Sequence, residues 1–88
     1  MQTQEIDFET PIFETYMTKK EQLLRFIQRN RRVRTSDVIK WGSYNYLNRA
    51  ERTSRDLATE GRIKRLSDHE KIIHGYGKTK ESVWEFVK

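Results

Sequence analysis

The sequence lacks cysteine, and it has no apolar run near the length of a membrane span. Without cysteine there is neither a disulfide framework nor a thiolate zinc site, so the fold has to rest on packing alone. No run approaches the roughly 18 apolar residues that cross a bilayer. The start, MQTQEIDF, has neither the basic flank nor the apolar stretch of a signal peptide. We therefore expect a cytoplasmic protein with no membrane partner.

Basic residues are absent from the first 17 positions, and this absence divides the chain. Four of the 13 acidic residues lie there, so residues 18–88 carry all 18 basic residues and a net charge of +9. We predict an acidic and aromatic N-terminal arm at 1–17 and one domain at 18–88. Pro11 argues against a helix in the arm, which we expect to be partly extended and to pack on the domain or on a second copy. The positive excess attracts polyphosphate, although a merely soluble basic surface fits the charge equally well.

Little in the composition favours an enzyme. At 88 residues, of which 34% are hydrophobic, the chain has room for one modest core and little surface for a cleft. The two imidazoles, His69 and His74, lack further ligands for a metal. The Gly-Lys-Thr at 77–79 fails as a phosphate-binding loop, because the earlier glycine of that motif is replaced by Ile72. We infer no catalytic site, no cofactor, no metal and no small-molecule substrate.

A capping-box pattern marks the first helix. Thr18 can accept from a first-turn amide while Glu21 reaches back, which predicts helix 1 at about Lys19–Asn30. A very short edge strand at 31–34 follows, since Val33 is its only apolar residue. The predicted inner face of helix 1 consists of Leu23, Leu24, Phe26 and Ile27.

A second cap at 35–37, Thr-Ser-Asp, predicts helix 2 at about Ser36–Trp41. Gly42 is expected to end this helix, because glycine takes the left-handed conformation without steric cost. Aromatic residues beside a short turn are most often core residues. The residues predicted to be buried in this segment are Val38, Ile39, Trp41, Tyr44 and Tyr46.

The longest helical stretch without glycine or proline is Tyr44–Glu60, which predicts helix 3 at about 45–60 with Gly61 as its stop. After it, 62–66 and 82–87 have β-like patterns and predict a hairpin with a long basic tip. Two turn-prone stretches lie between these strands, and the pattern leaves open which one forms the tip. The predicted inner stripe of helix 3 is Leu47, Ala50, Ser54, Leu57 and Ala58, and the second strand adds Trp84 and Phe86 to the core.

This order of elements resembles the winged helix-turn-helix superfamily of transcription regulators. The resemblance is carried by TSDVI at 35–39, by Gly42 in the turn and by RTSRDLATEGRI at 52–63, with the family's Arg, Leu and Gly spacing. It covers about residues 18–88. It implies an α+β winged helix, with a three-helix core and a C-terminal β-hairpin wing. Members of the family usually place the third helix in the major groove and the wing on the backbone or minor groove.

The outward face of helix 3 collects arginine and asparagine side chains at about 100° per residue. Arginine can fork onto guanine and asparagine onto adenine, which are the groups that direct readout of duplex DNA needs. The alternative is an ordinary solvated face with ion pairs to Glu51, Asp56 and Glu60. The DNA-binding residues predicted here are Asn45, Asn48, Arg49, Arg52 and Arg55, the last of them toward phosphate.

Three other places are predicted to contact the DNA backbone. The first is the densest basic cluster. The second is the start of helix 2, where a capping role explains the residues equally well. The third is the glycine-flanked loop, for which the alternative is a flexible, solvated tip. The residues are Arg31, Arg32 and Arg34, then Thr35 and Ser36, then Lys78 and Lys80.

The sequence thus predicts a protein that binds double-stranded DNA and regulates transcription. Dimerisation through the arm would add affinity and recognition of palindromes, so we expect a homodimer, with a monomer as the alternative. The small size hints at a viral or mobile-element source. The main alternative function is a winged-helix protein-interaction module that meets an acidic partner in a replication, recombination or transcription complex. RNA binding ranks last, because an exposed aromatic sheet is not predicted.

Overall fold

The computed structural model describes residues 17–88, which form an α+β fold of four helices and a three-stranded antiparallel sheet. Of the predicted N-terminal arm, all but Met17 lies outside the described residues. The strand order is β1-β3-β2, so β1 is an edge strand, as predicted. The helices are α1 (Lys19–Asn30), α2 (Thr35–Tyr44), α3 (Ala50–Thr59) and α4 (Asp68–Ile73), and the strands are β1 (Arg32–Arg34), β2 (Ile63–Arg65) and β3 (Val83–Phe86).

The bounds of α1 are those predicted from its cap and stripe. The Thr18 hydroxyl accepts from the Glu21 N–H at 3.2 Å. The Glu21 carboxylate binds Arg62, with Nη1 to Oε1 at 2.5 Å and Nη2 to Oε2 at 3.2 Å, which links α1 to the start of β2. The predicted inner face is confirmed, because Leu23, Leu24, Phe26 and Ile27 are all buried.

Gly42 lies inside α2, so the prediction that it ends the helix was wrong. A β-carbon at Gly42 would lie 2.5 Å from the Leu47 carbonyl oxygen and 2.8 Å from the Ala50 β-carbon. The glycine is therefore required for close packing against the start of α3. The C-terminus of α2 is capped by Asn45, whose Nδ2 donates to the Trp41 carbonyl oxygen at 2.8 Å.

The third helix begins at Ala50, five residues later than the predicted start at about residue 45. Residues 45–49 form a turn in which the Leu47 N–H donates to the Gly42 carbonyl at 2.8 Å. Tyr46 has a φ of 60°, which an L-residue does not sustain within a right-handed helix. The predicted inner stripe holds nonetheless: Ala50, Ser54 and Leu57 are buried, and Leu47 and Ala58 pack partly buried against the core.

Three of the residues predicted to be buried are largely exposed. Ile39 is 52% exposed, Tyr44 50% and Tyr46 88%. Trp41 is buried as predicted and stacks on Phe26 with ring centroids 5.6 Å apart. For Tyr46 the difference follows from the turn at 45–49, which carries this residue away from the core.

The predicted hairpin tip contains a helix, α4, which the sequence interpretation missed. The Ser67 hydroxyl accepts from the Glu70 N–H at 3.2 Å, and the Glu70 carboxylate accepts from the Ser67 N–H at 3.1 Å. These bonds are the two halves of a capping box, so the first of the two turn-prone stretches begins a helix. Lys71 is buried in α4, and its Nζ donates to the Thr79 carbonyl oxygen at 3.3 Å, so the helix is tied to the loop that returns to β3.

The core lies where α1, α2 and α3 meet one face of the sheet. Val33 of β1 pairs with Trp84 of β3, and Ile63 of β2 pairs with Phe86, so these four side chains share that face. Val33, Ile63 and Trp84 are buried, and Phe86 packs partly buried beside them. The predicted core role of both aromatic residues of β3 is confirmed.

Candidate nucleic-acid interface

A groove between α2 and the start of α3 brings together four of the five DNA-binding residues predicted for helix 3. Its volume is about 330 Å³. Two of these residues, Asn48 and Arg49, lie in the turn before α3 and not on the helix, which corrects their predicted placement. The lining residues are Ile39, Leu47, Asn48, Arg49, Ala50, Glu51, Arg52 and Arg55.

Local hydrogen bonds fix the backbone of the turn that presents Asn48 and Arg49. The Arg49 carbonyl accepts from both the N–H and the hydroxyl of Thr53, each at 2.9 Å. Leu47 is half-buried against the core, while the side chains of Asn48 and Arg49 are exposed. The main chain is thus anchored on both sides of two exposed polar side chains, which reduces the entropy lost when they bind a ligand.

The three arginines of the groove differ in their partners. Arg55 pairs with Glu51, one turn earlier, at 2.7 Å. Arg49 and Arg52 make no ion pair with any other residue in the described range 17–88. The expected alternative, an ordinary solvated face with intrahelical pairs, therefore describes Arg55 but neither of the other two. An exposed pair of this kind contributes about 0–1 kcal/mol, so Arg55 can exchange Glu51 for a phosphate at small cost.

Asn45 does not line the groove. It lies at the C-terminus of α2, half-buried, and its side-chain amide and its backbone N–H both donate to the Trp41 carbonyl. An adenine would have to displace this cap. The prediction that Asn45 lies on helix 3 was wrong. Asn45 is the C-terminal cap of α2.

The N-terminus of α2 is satisfied from within the protein. The Thr35 hydroxyl donates to the Ser82 carbonyl at 3.0 Å and accepts from Trp84 Nε1 at 3.2 Å. The Ser36 N–H, predicted to meet a phosphate, donates to the Glu81 carboxylate at 2.9 Å. A carboxylate thus already occupies the place where a phosphate oxygen would bind. The geometry favours the structural role of Thr35 and Ser36 that the sequence left as an alternative.

The basic cluster at 31–34 does not form one surface. Arg32 is half-buried and binds the Glu85 carboxylate at 2.6 Å, and Lys64 reaches the same carboxylate at 3.6 Å. Arg34 places its guanidinium 5.2 Å from the centre of the Tyr76 ring. Arg31 is exposed and has a φ of 68°. Of this cluster, Arg31 is the residue whose charge is most available to a phosphate.

Lys78 and Lys80 are exposed and line a second groove, of about 480 Å³, beside α4. Lys71 forms part of the same wall, with Asp68 3.6 Å from its Nζ. Sequence reasoning missed the structural role of Lys71, and the signal that could have found it was the capping box that begins α4. These two exposed lysines are not among the residues that line the arginine groove.

Ile39 is a largely exposed groove residue that sequence reasoning assigned to the core. Over the full length of α2, the buried residues Val38, Trp41 and Gly42 follow the spacing of one helical face. Ile39 lies about 100° from Val38, off that face. A helical wheel drawn over 35–44, in place of the shorter predicted span, would have placed it outside.

Within residues 17–88, no group of three or more His, Asp or Glu side chains is placed to hold a metal ion. The same part of the chain contains no helix of the length and hydropathy that crossing a membrane requires. No family model matches the chain, and comparison with the curated proteins and with the solved structures found no match either. Function is therefore inferred from the geometry of the chain itself.

Proposed function

We propose that the chain is a winged-helix protein that binds duplex DNA, has no enzymatic activity, and reads bases with α3 and the turn before it. The order α1-β1-α2-α3-β2-β3, with β1 and β2 flanking the central β3, supports the winged-helix arrangement. In this arrangement α4 and the loop after it belong to the wing. The observation that carries the proposal is the convergence of exposed Asn48, Arg49 and Arg52 in one groove, where the two arginines have no ion-pair partner among the described residues.

These side chains match the chemistry of the major groove. An arginine can donate two hydrogen bonds to guanine O6 and N7, and an asparagine can bind adenine N6 and N7. In helix-turn-helix proteins the residues at the N-terminal end of the recognition helix approach the bases. Arg49 is the N-cap of α3 and Arg52 lies in its first turn, so both occupy that end of the helix.

Phosphate contacts would come from three exposed cations outside the groove, Arg31, Lys78 and Lys80. They carry no base information, but they would orient the protein on the duplex and supply much of the affinity at low salt. We further propose that the DNA-bound protein regulates transcription and acts as a homodimer on paired half-sites. Light scattering of the full chain, free and bound to DNA, measures the number of copies directly.

The test is binding of duplex DNA of random sequence, measured by fluorescence anisotropy at increasing salt. The double variant Arg49→Ala, Arg52→Ala is compared with Arg25→Ala, Arg29→Ala, which removes the same charge from the exposed side of α1. We expect the logarithm of the binding constant to fall linearly with the logarithm of salt concentration, and the groove variant to lose far more affinity than its control.

Equal losses in the two double variants would show that the groove is not the binding surface. A wild-type protein that fails to bind duplex DNA at about 100 mM salt would contradict the proposal altogether. That result would favour the alternative expected from the sequence, a protein-interaction module whose basic faces meet an acidic partner.

A further inference from the structure

The groove that holds Arg49 and Arg52 has one aliphatic wall residue that is largely exposed. Ile39, in the middle of α2, is 52% exposed and lines the groove together with Asn48, Arg49 and Arg52. A single exposed apolar side chain is ordinary on a protein surface. An exposed isoleucine beside three side chains suited to base edges gives the groove a mixed apolar and hydrogen-bonding character.

Packing of the fold does not account for Ile39. The core contact of α2 is made by Val38, fully buried, and by Trp41, which stacks on Phe26. The side chains around Ile39 on the exposed side of α2 are polar, with Ser36, Lys40 and Ser43 all exposed. An apolar side chain at this position exposes a surface that would gain free energy if a ligand covered it.

The major-groove edge of DNA presents one apolar group, the C5 methyl of thymine. We propose that Ile39 contacts the C5 methyl of a thymine, so that the target contains an A·T pair beside the G·C pair read by Arg49 or Arg52. This inference rests on the proposed DNA-binding function, and it names the thymine methyl, a group that none of the hydrogen-bonding side chains of the groove can recognise. The positive charge of Arg49 and Arg52 in the same groove complements the DNA that would bring the methyl group to Ile39.

The experiment replaces thymine by deoxyuridine, one position at a time, in the duplex that the wild-type protein selects from a random pool. Each replacement removes one methyl group and leaves base pairing unchanged. We expect the wild-type protein to lose affinity by about fourfold at one position, the factor for one buried methyl group. Ile39→Ala is expected to bind the thymine duplex more weakly and to lose the distinction between thymine and deoxyuridine at that position.

The control is Val87→Ala, which truncates another aliphatic side chain, 40% exposed, directly after β3 and outside the groove. It should keep both the wild-type affinity and the sensitivity to deoxyuridine. Ile39→Val keeps most of the side chain, so it is the variant least exposed to a folding defect. It should still distinguish thymine from deoxyuridine at that position, but less strongly than the wild type. Thermal unfolding of all three variants, expected to match the wild type within a few degrees, confirms that each is folded.

Two results would overturn the inference and leave the DNA-binding proposal standing. One is a wild-type protein that binds every deoxyuridine duplex as tightly as the thymine duplex. The other is an Ile39→Ala variant that loses affinity equally for both, which indicates contact with sugar and not with the methyl group. A wild-type protein that selects no duplex from the pool overturns the inference together with base reading.

Discussion

The Leu47 N–H donates to the Gly42 carbonyl at 2.8 Å, and the Leu47 carbonyl oxygen lies 2.5 Å from the position that a β-carbon on Gly42 would occupy. The two residues thus close the turn from both sides, and the turn positions Asn48 and Arg49 in the groove. The close approach leaves no room for a side chain on Gly42. A β-carbon there would meet the Leu47 backbone and the Ala50 β-carbon, neither of which is the end of a flexible side chain.

Gly42→Ala is therefore expected to destabilise the protein by about 1–3 kcal/mol, the usual cost of forcing extra volume into a packed site. Urea unfolding measures the change. Ser43→Ala, at the exposed neighbouring position, is the control and should stay within about 0.5 kcal/mol of the wild type. A Gly42→Ala protein as stable as the wild type would show that α2 and α3 do not approach this closely.

The two asparagines beside the turn are expected to have separate roles. Asn45→Ala removes the bond from its side chain to the Trp41 carbonyl and should cost about 1 kcal/mol of stability, with the preference for DNA sequence retained. Asn48→Ala removes an exposed groove residue and should leave stability unchanged. It should reduce discrimination at one base pair by about 1–3 kcal/mol. Urea unfolding and competition between duplexes measure the two effects, and the opposite pattern would contradict the assignment.

The stability of the protein should decrease in acid as Glu70 takes up a proton. The Lys64 ammonium, which donates to the Glu70 carboxylate at 2.9 Å, and the Ser67 N–H lower the pKa of Glu70 from 4.5 to about 2. Because the folded-state pKa is depressed, the stabilisation is fully present above about pH 4.5 and is lost as the pH falls toward about 2. The Arg62 guanidinium lowers the pKa of Glu21 in the same direction.

Thermal unfolding of the wild type and of Glu70→Gln across this range measures the effect. The wild type should have the higher Tm at neutral pH, and the difference should shrink between about pH 4.5 and about pH 2. Asp56→Asn, which removes an exposed carboxylate from α3, shows the effect of losing charge alone. A difference in Tm between wild type and Glu70→Gln that does not change with pH would contradict the paired state of Glu70.

Local signals predicted the parts of the fold whose causes are local. The Thr18 cap and the stripe of apolar residues determine α1, and the alternation around Trp84 determines β3. The capping box of Ser67 and Glu70 was also present in the sequence, but it covers a helix of only six residues in a segment rich in turn formers. Giving the capping box precedence over the turn-forming residues predicts α4.

The boundary between α2 and α3 depends on contacts that no local pattern shows. Gly42 marks a close approach of two helices, whereas the same residue type more often ends a helix. Tyr46 adopts a positive φ, a conformation that glycine and asparagine take more readily than tyrosine does. Arginine periodicity therefore located the groove, but the placement of Asn45 at a cap and of Ile39 in the groove required the structure.

Selection of bound duplexes from a random pool, carried out in parallel with the wild type and with Arg52→Ala, tests the central proposal most directly. We predict that the wild type enriches a defined motif, and that the variant binds more weakly and loses the preference for one G·C pair, at a cost of about 1–3 kcal/mol. Enrichment of no motif by the wild type, or of the same motif with the same preference by both proteins, would contradict base reading by the groove between α2 and α3.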